Sequence, residues 1–374
     1  MRIGINARFL IKDKLEGIGW YTYNVMRNMV LSHPEHEYVF FFDRTPDPSF
    51  IFNSSVKVVV LFPSARHPFL WYWWFEISIA NALKKYTIDL FFSLDGYACL
   101  STTVPQYLVV HDLAFIHYPL HVPFFVRKYY QWFVPKQLAK AQHIFAVSES
   151  TKQDIINQYK IPEHKISIAY NGVREEFKPL DEHEKKSIRD EFSSGKNYFL
   201  FVGAIHPRKN IANLIRAFDL FKKSTSSDLL LLIVGRKAWL SQETVSAHHD
   251  SKYKNDILFY PYFDTQNLAR ITAAAFYAIN PSFFEGFGVP ILEALYCDVP
   301  VMVSNRSSLP EVAGSSAIIF NPDKMDEISA AMIQALNDSQ RAERIEQGRL
   351  HRQRFDWGHT SKSIYIQLIK LSKS

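Results

Sequence analysis

Cysteine is nearly absent: a chain of 374 residues carries two, Cys99 and Cys297. Two thiols build no disulfide framework, and with neither in a C-x-x-C pair they build no thiolate metal site; a reducing compartment fits. No apolar run approaches the ~20 residues that a membrane span needs. The opening, MRIGINARFLIKDKLEG, alternates apolar residues like a strand and lacks the apolar block and cleavage site of a signal peptide. A cytoplasmic protein is expected. The sequence also lacks D-x-D, G-x-x-x-x-G-K-[ST], H-E-x-x-H and G-x-S-x-G, so metal-bound phosphate, P-loop, zinc-protease and esterase chemistry find no support. His248 and His249 stand in a polar stretch without further ligands and read as exposed, not metal-bound. Internal repeats and low-complexity tracts are missing too.

What is present describes a folded globular protein: 47% hydrophobic and 21% charged residues. The length suits two domains better than one core. A net charge of +6 is modest and serves nucleic acid, anionic lipid or phosphate-bearing small molecules equally well. Short apolar runs alternate with longer helical-period segments, the pattern of an α/β protein with parallel sheets. Strands are expected over residues 2–9, 38–43, 56–62, 88–93, 107–111 and 144–147, with helices opening near Gly17, Phe69, Pro123 and Glu149. A second series covers 198–202, 229–234, 257–260, 278–280 and 301–304, with helices near Asn210, Thr265, Pro290, Lys324 and Arg341. The charged stretch 174–196 reads as a linker with a short surface helix, between an N-terminal domain 1–173 and a C-terminal domain 197–358. The tail 359–374 is a helix with Ile364, Leu368 and Leu371 on one stripe, expected to pack back on the first domain. Two doubly wound domains facing each other set a cleft between the carboxyl ends of their sheets, where ligands bind such folds.

Four stretches carry candidate chemistry. EGIGWYT (16–22) follows the first strand and opens a helix; its glycines and free amides suit phosphate, though by pattern alone an ordinary flexible loop is the better reading. VGAIHPRKN (202–210) ends a strand, turns at Gly203 and sets Arg208 and Lys209 at the start of a helix. Cations are disfavoured at that end without an anion, so a diphosphate is the natural partner. PSFFEGFGVPILEAL (281–295) puts Glu285 in a glycine loop and Glu293 in the first turn of the following helix. Amides of Gly286, Phe287 and Gly288 donate to sugar oxygens or phosphate, while the carboxylates accept from hydroxyls. Glu293 could simply complement the helix dipole, and a glycosidase carboxylate pair is a further reading. VVHDLAF (109–115) ends a strand at His111, a structural histidine or one facing the cleft. SES (148–150) reads as a helix cap.

HPFLWYWWFEI (67–77) and HVPFFVRKYYQWFVPK (121–136) are helices too aromatic for one face to hold every ring. Either both are core, or one side dips into a bilayer interface, aided by Arg127, Lys128 and Lys136.

In combination, EGIGWYT, VHD, SES, YNGV, VGAIHPRKN, the E-x7-E element Glu285–Glu293, VPVMVSNRSSLPEVAG and FNPDK resemble, nearly end to end, the retaining glycosyltransferases of family 4. The look is that of the bacterial mannosyltransferase branch. The resemblance implies a GT-B fold of two Rossmann-like domains and a nucleotide-sugar donor, GDP-mannose, with no metal. It implies an oligosaccharide or lipid-linked glycan acceptor and a peripheral place on the inner face of the plasma membrane; nucleic acid is not among the partners. Gly17 and Ile18 would meet the distal phosphate, although Gly17-Ile18-Gly19 departs from the commonest Gly-Gly form and Trp20 replaces a frequent Arg. Arg208 and Lys209 would clamp the diphosphate, Glu293 bind the ribose, and Glu285 with Phe287 and Gly288 hold the transferred sugar. Gly203, Gly286 and Val289 complete the donor set, and His111 sits beside the anomeric region. A nucleotide-sugar epimerase, a sugar phosphorylase and a silent binding subunit are the alternatives; an epimerase works on donor alone.

Overall fold

A computed structural model describes residues 1–65, 68–236 and 242–372, and divides the chain into two compact units. The first runs from Met1 to Asn171 and takes in the chain from Phe355 onward; the second is Gly172–Arg354.

Seven parallel strands form the first sheet: β1 (Arg2–Asn6), β2 (Glu37–Phe42), β3 (Val56–Val60), β4 (Leu90–Ser93), β5 (Gln106–Val110), β6 (His143–Ala146) and β7 (Ile166–Ile168). Their order is β3-β2-β1-β4-β5-β6-β7, so the direction of winding reverses between β1 and β4. Buried on both faces, these strands read as continuous apolar runs such as YVFFF and QYLVV. The second sheet holds β8 (Tyr198–Val202), β9 (Leu230–Val234), β10 (Ile257–Tyr260), β11 (Tyr277–Asn280), β12 (Val301–Ser304) and β13 (Ile318–Phe320), in the order β10-β9-β8-β11-β12-β13. Here the reversal falls between β8 and β11. Ligands of open parallel sheets bind outside the carboxyl ends of the strands at such a switch point.

Several differences from the sequence reading have local causes. β1 stops at Asn6, three residues early, because the chain turns there: the Leu10 amide donates to the Ala7 carbonyl at 3.0 Å. β7 and β13 escape a reading by apolar runs because each has three residues. A helix at Gln242–Asp250 lies in a stretch with little apolar periodicity. The expected linker 174–196 is part of the second unit and carries the helix Glu182–Ser193, started by a capping box between Asp181 and Glu184. Arg270 pairs with its Glu191 at 2.8 Å.

The C-terminal helix Trp357–Ser372 buries Ile364 and Leu368, and its Ser361 hydroxyl donates to the Val25 carbonyl at 3.0 Å. His67 of the first aromatic segment lies outside the described residues. The rest of that segment is helical from Pro68, with a π-helical stretch Trp74–Ile79 that turns Trp74, Phe75 and Ile79 into the core. Phe69, Tyr72 and Trp73 remain exposed. The second aromatic helix, Phe124–Lys140, divides in the same way: Tyr129, Val134 and Leu138 are buried, whereas Phe125 and Trp132 are 60% and 65% exposed. No helix among the described residues is long and apolar enough to cross a membrane.

Candidate active site

The second unit places its candidate charged residues just after the two strands that flank its switch point. After β8 the chain passes Gly203 and forms a 3-10 turn, Pro207–Lys209. Asn210, in the left-handed region at φ 60°, separates that turn from the helix Ile211–Thr225. Arg208 and Lys209 therefore stand just ahead of the helix, beside its N-terminus as the sequence reading placed them. The turn is anchored by the buried Asn210 amide, which donates to the carbonyls of Pro281 (3.2 Å) and Pro322 (2.7 Å).

After β11, the loop from Pro281 presents Glu285, which is 7% exposed. Lys209 Nζ bonds its Oε1, Arg208 Nη1 reaches Oε2 at 3.4 Å, and the Ser282 hydroxyl donates to Oε1 at 2.9 Å. Asn280 Nδ2 approaches the same oxygen at 3.4 Å. Burial pushes this carboxyl up, but the charges of Lys209 and Arg208 outweigh it and hold the pKa at about 2. Two cations against one carboxylate leave the cluster positive by one charge.

Three serines, one at the end of β12 and two in the loop after it, brace the glutamate loop. The Glu285 amide donates to Ser307 Oγ at 2.8 Å, Ser308 Oγ donates to the carbonyls of Glu285 and Phe287, and Ser304 Oγ donates to Ser282 O. Gly288 caps the helix Val289–Tyr296 at φ 103°, a backbone conformation that strains any side chain, and a Cβ there would also crowd Leu309 Cδ2 at 2.9 Å. Gly286 and Phe287 lead into this cap, Phe287 with its ring buried.

Glu293 is the fifth residue of that helix, about one residue beyond the first turn where the sequence reading placed it. The dipole does not hold it. Arg174 does: Nη2 meets Glu293 Oε1 at 2.6 Å while Nη1 donates to Thr265 Oγ1 at 2.9 Å. Glu293 is 3% exposed. Burial pushes its carboxyl above the usual range, and Arg174 opposes that push. Glu285 and Glu293 are thus held by different cations.

In the first unit, Gly17 begins the helix Gly17–Ser32 and is exposed, while Ile18 faces a cavity that His111 also lines. Gly19 lies so close to the loop after β1 that a Cβ would meet the Phe9 carbonyl at 2.8 Å. His111 directly follows β5, and its Nε2 bonds the Leu94 carbonyl at 2.8 Å. A carbonyl only accepts, so Nε2 carries the proton and Nδ1 is the acceptor. Burial lowers the His111 pKa, which keeps the ring neutral. Tyr21 packs edge-on against it at 5.0 Å. The reading of SES as a cap fits: Ser148 Oγ accepts from the Thr151 amide at 3.0 Å. Among the described residues no group of three His, Cys, Asp or Glu side chains is placed to hold a metal ion.

Sequence reasoning missed Arg174, Asn210, Ser282, Ser307 and Ser308. The one available signal was density: SNRSS lies inside a motif already singled out, and Arg174 directly follows another, YNGV.

Comparison with known proteins supplies the family. The model described as Glycosyltransferase Family 4 matches residues 15–177, and that described as Glycosyl transferases group 1 matches 182–351. O-antigen chain mannosyltransferase B of Escherichia coli is 30% identical over 249 residues, 66% of this chain and 65% of that protein. O-antigen chain mannosyltransferase RfbU of Salmonella typhimurium is 30% identical over 221 residues, 58% of this chain and 57% of the relative. The matched part thus spans less than two thirds of each of these relatives. The crystal structure of a glycosyltransferase from Rickettsia africae has a TM-score of 0.76 at 17% identity, covering 100% of this chain and 99% of that one. With the sheets wound as they are and both halves matched, the chain belongs to the family 4 glycosyltransferases and has the GT-B fold.

Proposed function

We propose that this chain is a retaining hexosyltransferase that moves mannose from GDP-mannose onto a lipid-linked glycan during assembly of a bacterial surface polysaccharide. The observation that carries the reading is the Arg208–Lys209–Glu285 cluster at the carboxyl ends of β8 and β11. The names of the two mannosyltransferase relatives support the choice of sugar and product class.

In the reaction, the bond from the anomeric carbon to the phosphate oxygen breaks and its electron pair stays on that oxygen. The net positive cluster receives the developing charge, the arrangement that contributes most in many transferases. The acceptor hydroxyl attacks from the face that the diphosphate vacates, which retains configuration. Its proton passes to the departing phosphate oxygen, so the scheme requires neither a protein base nor a metal. Glu285, ionised throughout the neutral range, accepts from hydroxyls of the transferred sugar. Glu293 accepts from the ribose, and neutral His111 offers Nδ1 to a sugar hydroxyl.

Thermal unfolding with GDP, UDP, ADP and their sugars tests the donor. GDP and GDP-mannose stabilise selectively, with or without magnesium, by ~2.7 kcal/mol at 100 times the dissociation constant. A selective shift with uridine nucleotides reassigns the donor, and none with any nucleotide overturns the reading. Conversion of donor without acceptor into an epimer replaces it with epimerisation.

The exposed aromatic faces of the two helices in the first unit fit peripheral contact with an anionic bilayer. Phe69 meets Phe125 at 6.1 Å between ring centroids, and Lys136 lies over Trp132 at 4.3 Å, with Arg127 and Lys128 beside Phe124. Tryptophan, tyrosine and lysine side by side suit the headgroup region. The protein sediments with anionic liposomes and is released by salt, because exposed charges are screened. Absence from both anionic and neutral liposome pellets removes this part.

A further inference from the structure

Tyr21 is fully buried on the helix that begins at Gly17, and three parts of the first unit converge on it. Its ring stands edge-on to His111, with centroids 5.0 Å apart and planes at 88°. Trp357, the first residue of the C-terminal helix, meets the same ring at 5.4 Å and 82°. The Tyr21 hydroxyl donates to the Ala169 carbonyl at 3.0 Å. Burial raises the pKa of the phenol, so the hydroxyl keeps its proton and stays a donor.

Two of these contacts come from where the chain changes units. It leaves the first unit after Asn171 and re-enters at Phe355. Ala169 lies just ahead of the exit and Trp357 just past the re-entry. Within the first unit the two segments are also joined to each other. Thr360 Oγ1 donates to the Tyr170 carbonyl at 2.9 Å, and Tyr170 packs edge-on against Phe355 at 5.0 Å. Tyr21 is thus fixed from two sides, and His111 is the third group against its ring.

His111 has a use for such a neighbour. Its bond from Nε2 to the Leu94 carbonyl fixes one atom of the ring. The torsion about Cβ–Cγ is broad in histidine, and rotation there carries Nδ1 through a wider arc than Nε2. The bond at Nε2 alone therefore leaves Nδ1 loosely aimed. An aromatic ring set perpendicular to the imidazole closes that arc, in the geometry that aromatic pairs favour.

We propose that Tyr21 is a positioning residue for His111: its ring, itself held by Ala169 and Trp357, sets the plane of the imidazole and so the direction in which Nδ1 accepts. The proposal rests on the reading above, in which Nδ1 meets a hydroxyl of the transferred sugar. Tyr21 acts through His111 and touches no substrate.

Three variants of the full chain separate the parts. Tyr21→Leu removes the ring. Tyr21→Phe keeps the ring and removes the hydroxyl. Trp357→Leu, at a half-buried position, removes the brace behind the ring and leaves the bond to Ala169. Ring-nitrogen NMR, with the His111 signals assigned by their loss in His111→Ala, reads the tautomer without any donor present. The wild type and Tyr21→Phe show one form, protonated at Nε2, whereas both leucine variants show a second form protonated at Nδ1. In transfer assays kcat of Tyr21→Leu falls by about ten- to hundredfold with the donor KM held, the mark of a misplaced group in the transition state. Trp357→Leu loses less, and Tyr21→Phe stays within about threefold of the wild type. In a His111→Ala background Tyr21→Leu costs no further turnover, because the group it positions is gone.

A single wild-type tautomer in the folded leucine variants overturns the proposal, as does an undiminished loss of turnover in the His111→Ala background. Should Tyr21→Leu not fold, Trp357→Leu decides by the same two readings. Wild-type turnover in His111→Ala, with mixed tautomers still seen in the leucine variants, fails the catalytic reading of His111 and leaves the positioning.

Discussion

Arg208→Ala lowers turnover by about 10²–10³, the usual effect of deleting one preorganised donor to a developing oxyanion. Arg208 Nη1 is the group shared between the Phe284 carbonyl and Glu285 Oε2, so its loss both removes charge from the leaving group and loosens the glutamate loop. Glu285→Gln is expected to cost as much in turnover, for a different reason. The amide keeps an oxygen for Ser282 and Lys209 but no longer attracts the sugar hydroxyls as a carboxylate does. The two variants separate in nucleotide binding. Arg208→Ala weakens GDP binding, whereas Glu285→Gln leaves it equal or tighter, because the cations lose a competing anion.

Acid has little to say about this pair in the working range. The folded pKa of Glu285 lies below its unfolded value, so its contribution to stability is complete above the ordinary carboxylate range and is lost as the pH falls through about 2. Wild-type turnover between pH 5 and 8 therefore shows no limb from Glu285. Steady-state kinetics and calorimetry on the two variants check all of this; wild-type turnover in both sinks the site.

Arg174→Met has its main effect on stability. Removing one partner of a buried ion pair leaves the other charge without compensation, at a cost of about 3–5 kcal/mol. For a unit of this size that lowers the melting temperature by roughly 6–20 °C. Thr265 Oγ1 loses its donor as well.

The pH dependence carries the signature. Without Arg174, burial raises the Glu293 carboxyl further above its unfolded value, with Glu176 pushing in the same direction. A carboxyl with a raised folded pKa contributes its full stability below the unfolded pKa and loses it as pH rises through the folded one. The deficit of Arg174→Met against the wild type is thus largest at pH 7.5 and narrows toward pH 5. Arg174→Lys falls between the two, keeping the charge but not the two-armed grip on Glu293 and Thr265. Nucleotide affinity drops with stability in Arg174→Met if Glu293 binds the ribose as proposed, since that carboxylate is no longer fixed. Melting curves at the two pH values that coincide with the wild type would show that the pair is not what holds Glu293.

In each unit taken by itself, several candidate residues were legible without coordinates. Apolar runs marked most strands, and the strand-end rule then pointed to His111, to Arg208 and Lys209, and to Glu285, each of which follows a strand. Arg174 was not legible. It sits in a charged stretch that reads as linker, and its partner Glu293 is 119 positions away. Arg8 was hidden inside an expected strand; only the turn after Asn6 frees it to reach Asp95, 87 positions on. Both cases share a cause. Local sequence reports hydrophobic period and turn chemistry, whereas an ion pair between distant segments depends on strand order and helix packing, which no local pattern encodes.

The sequence by itself determined the class of architecture, the family motifs and the residue types available for phosphate and hydroxyl binding, because these follow from alternation, glycine placement and charge. Tertiary structure alone decided which charges meet. It joined Lys209 and Arg208 to Glu285 through the adjacency of β8 and β11, and Arg174 to Glu293 through the packing of the second unit. It also set Arg8 beside Asp95 in a cavity that strand order opens between β1 and β4.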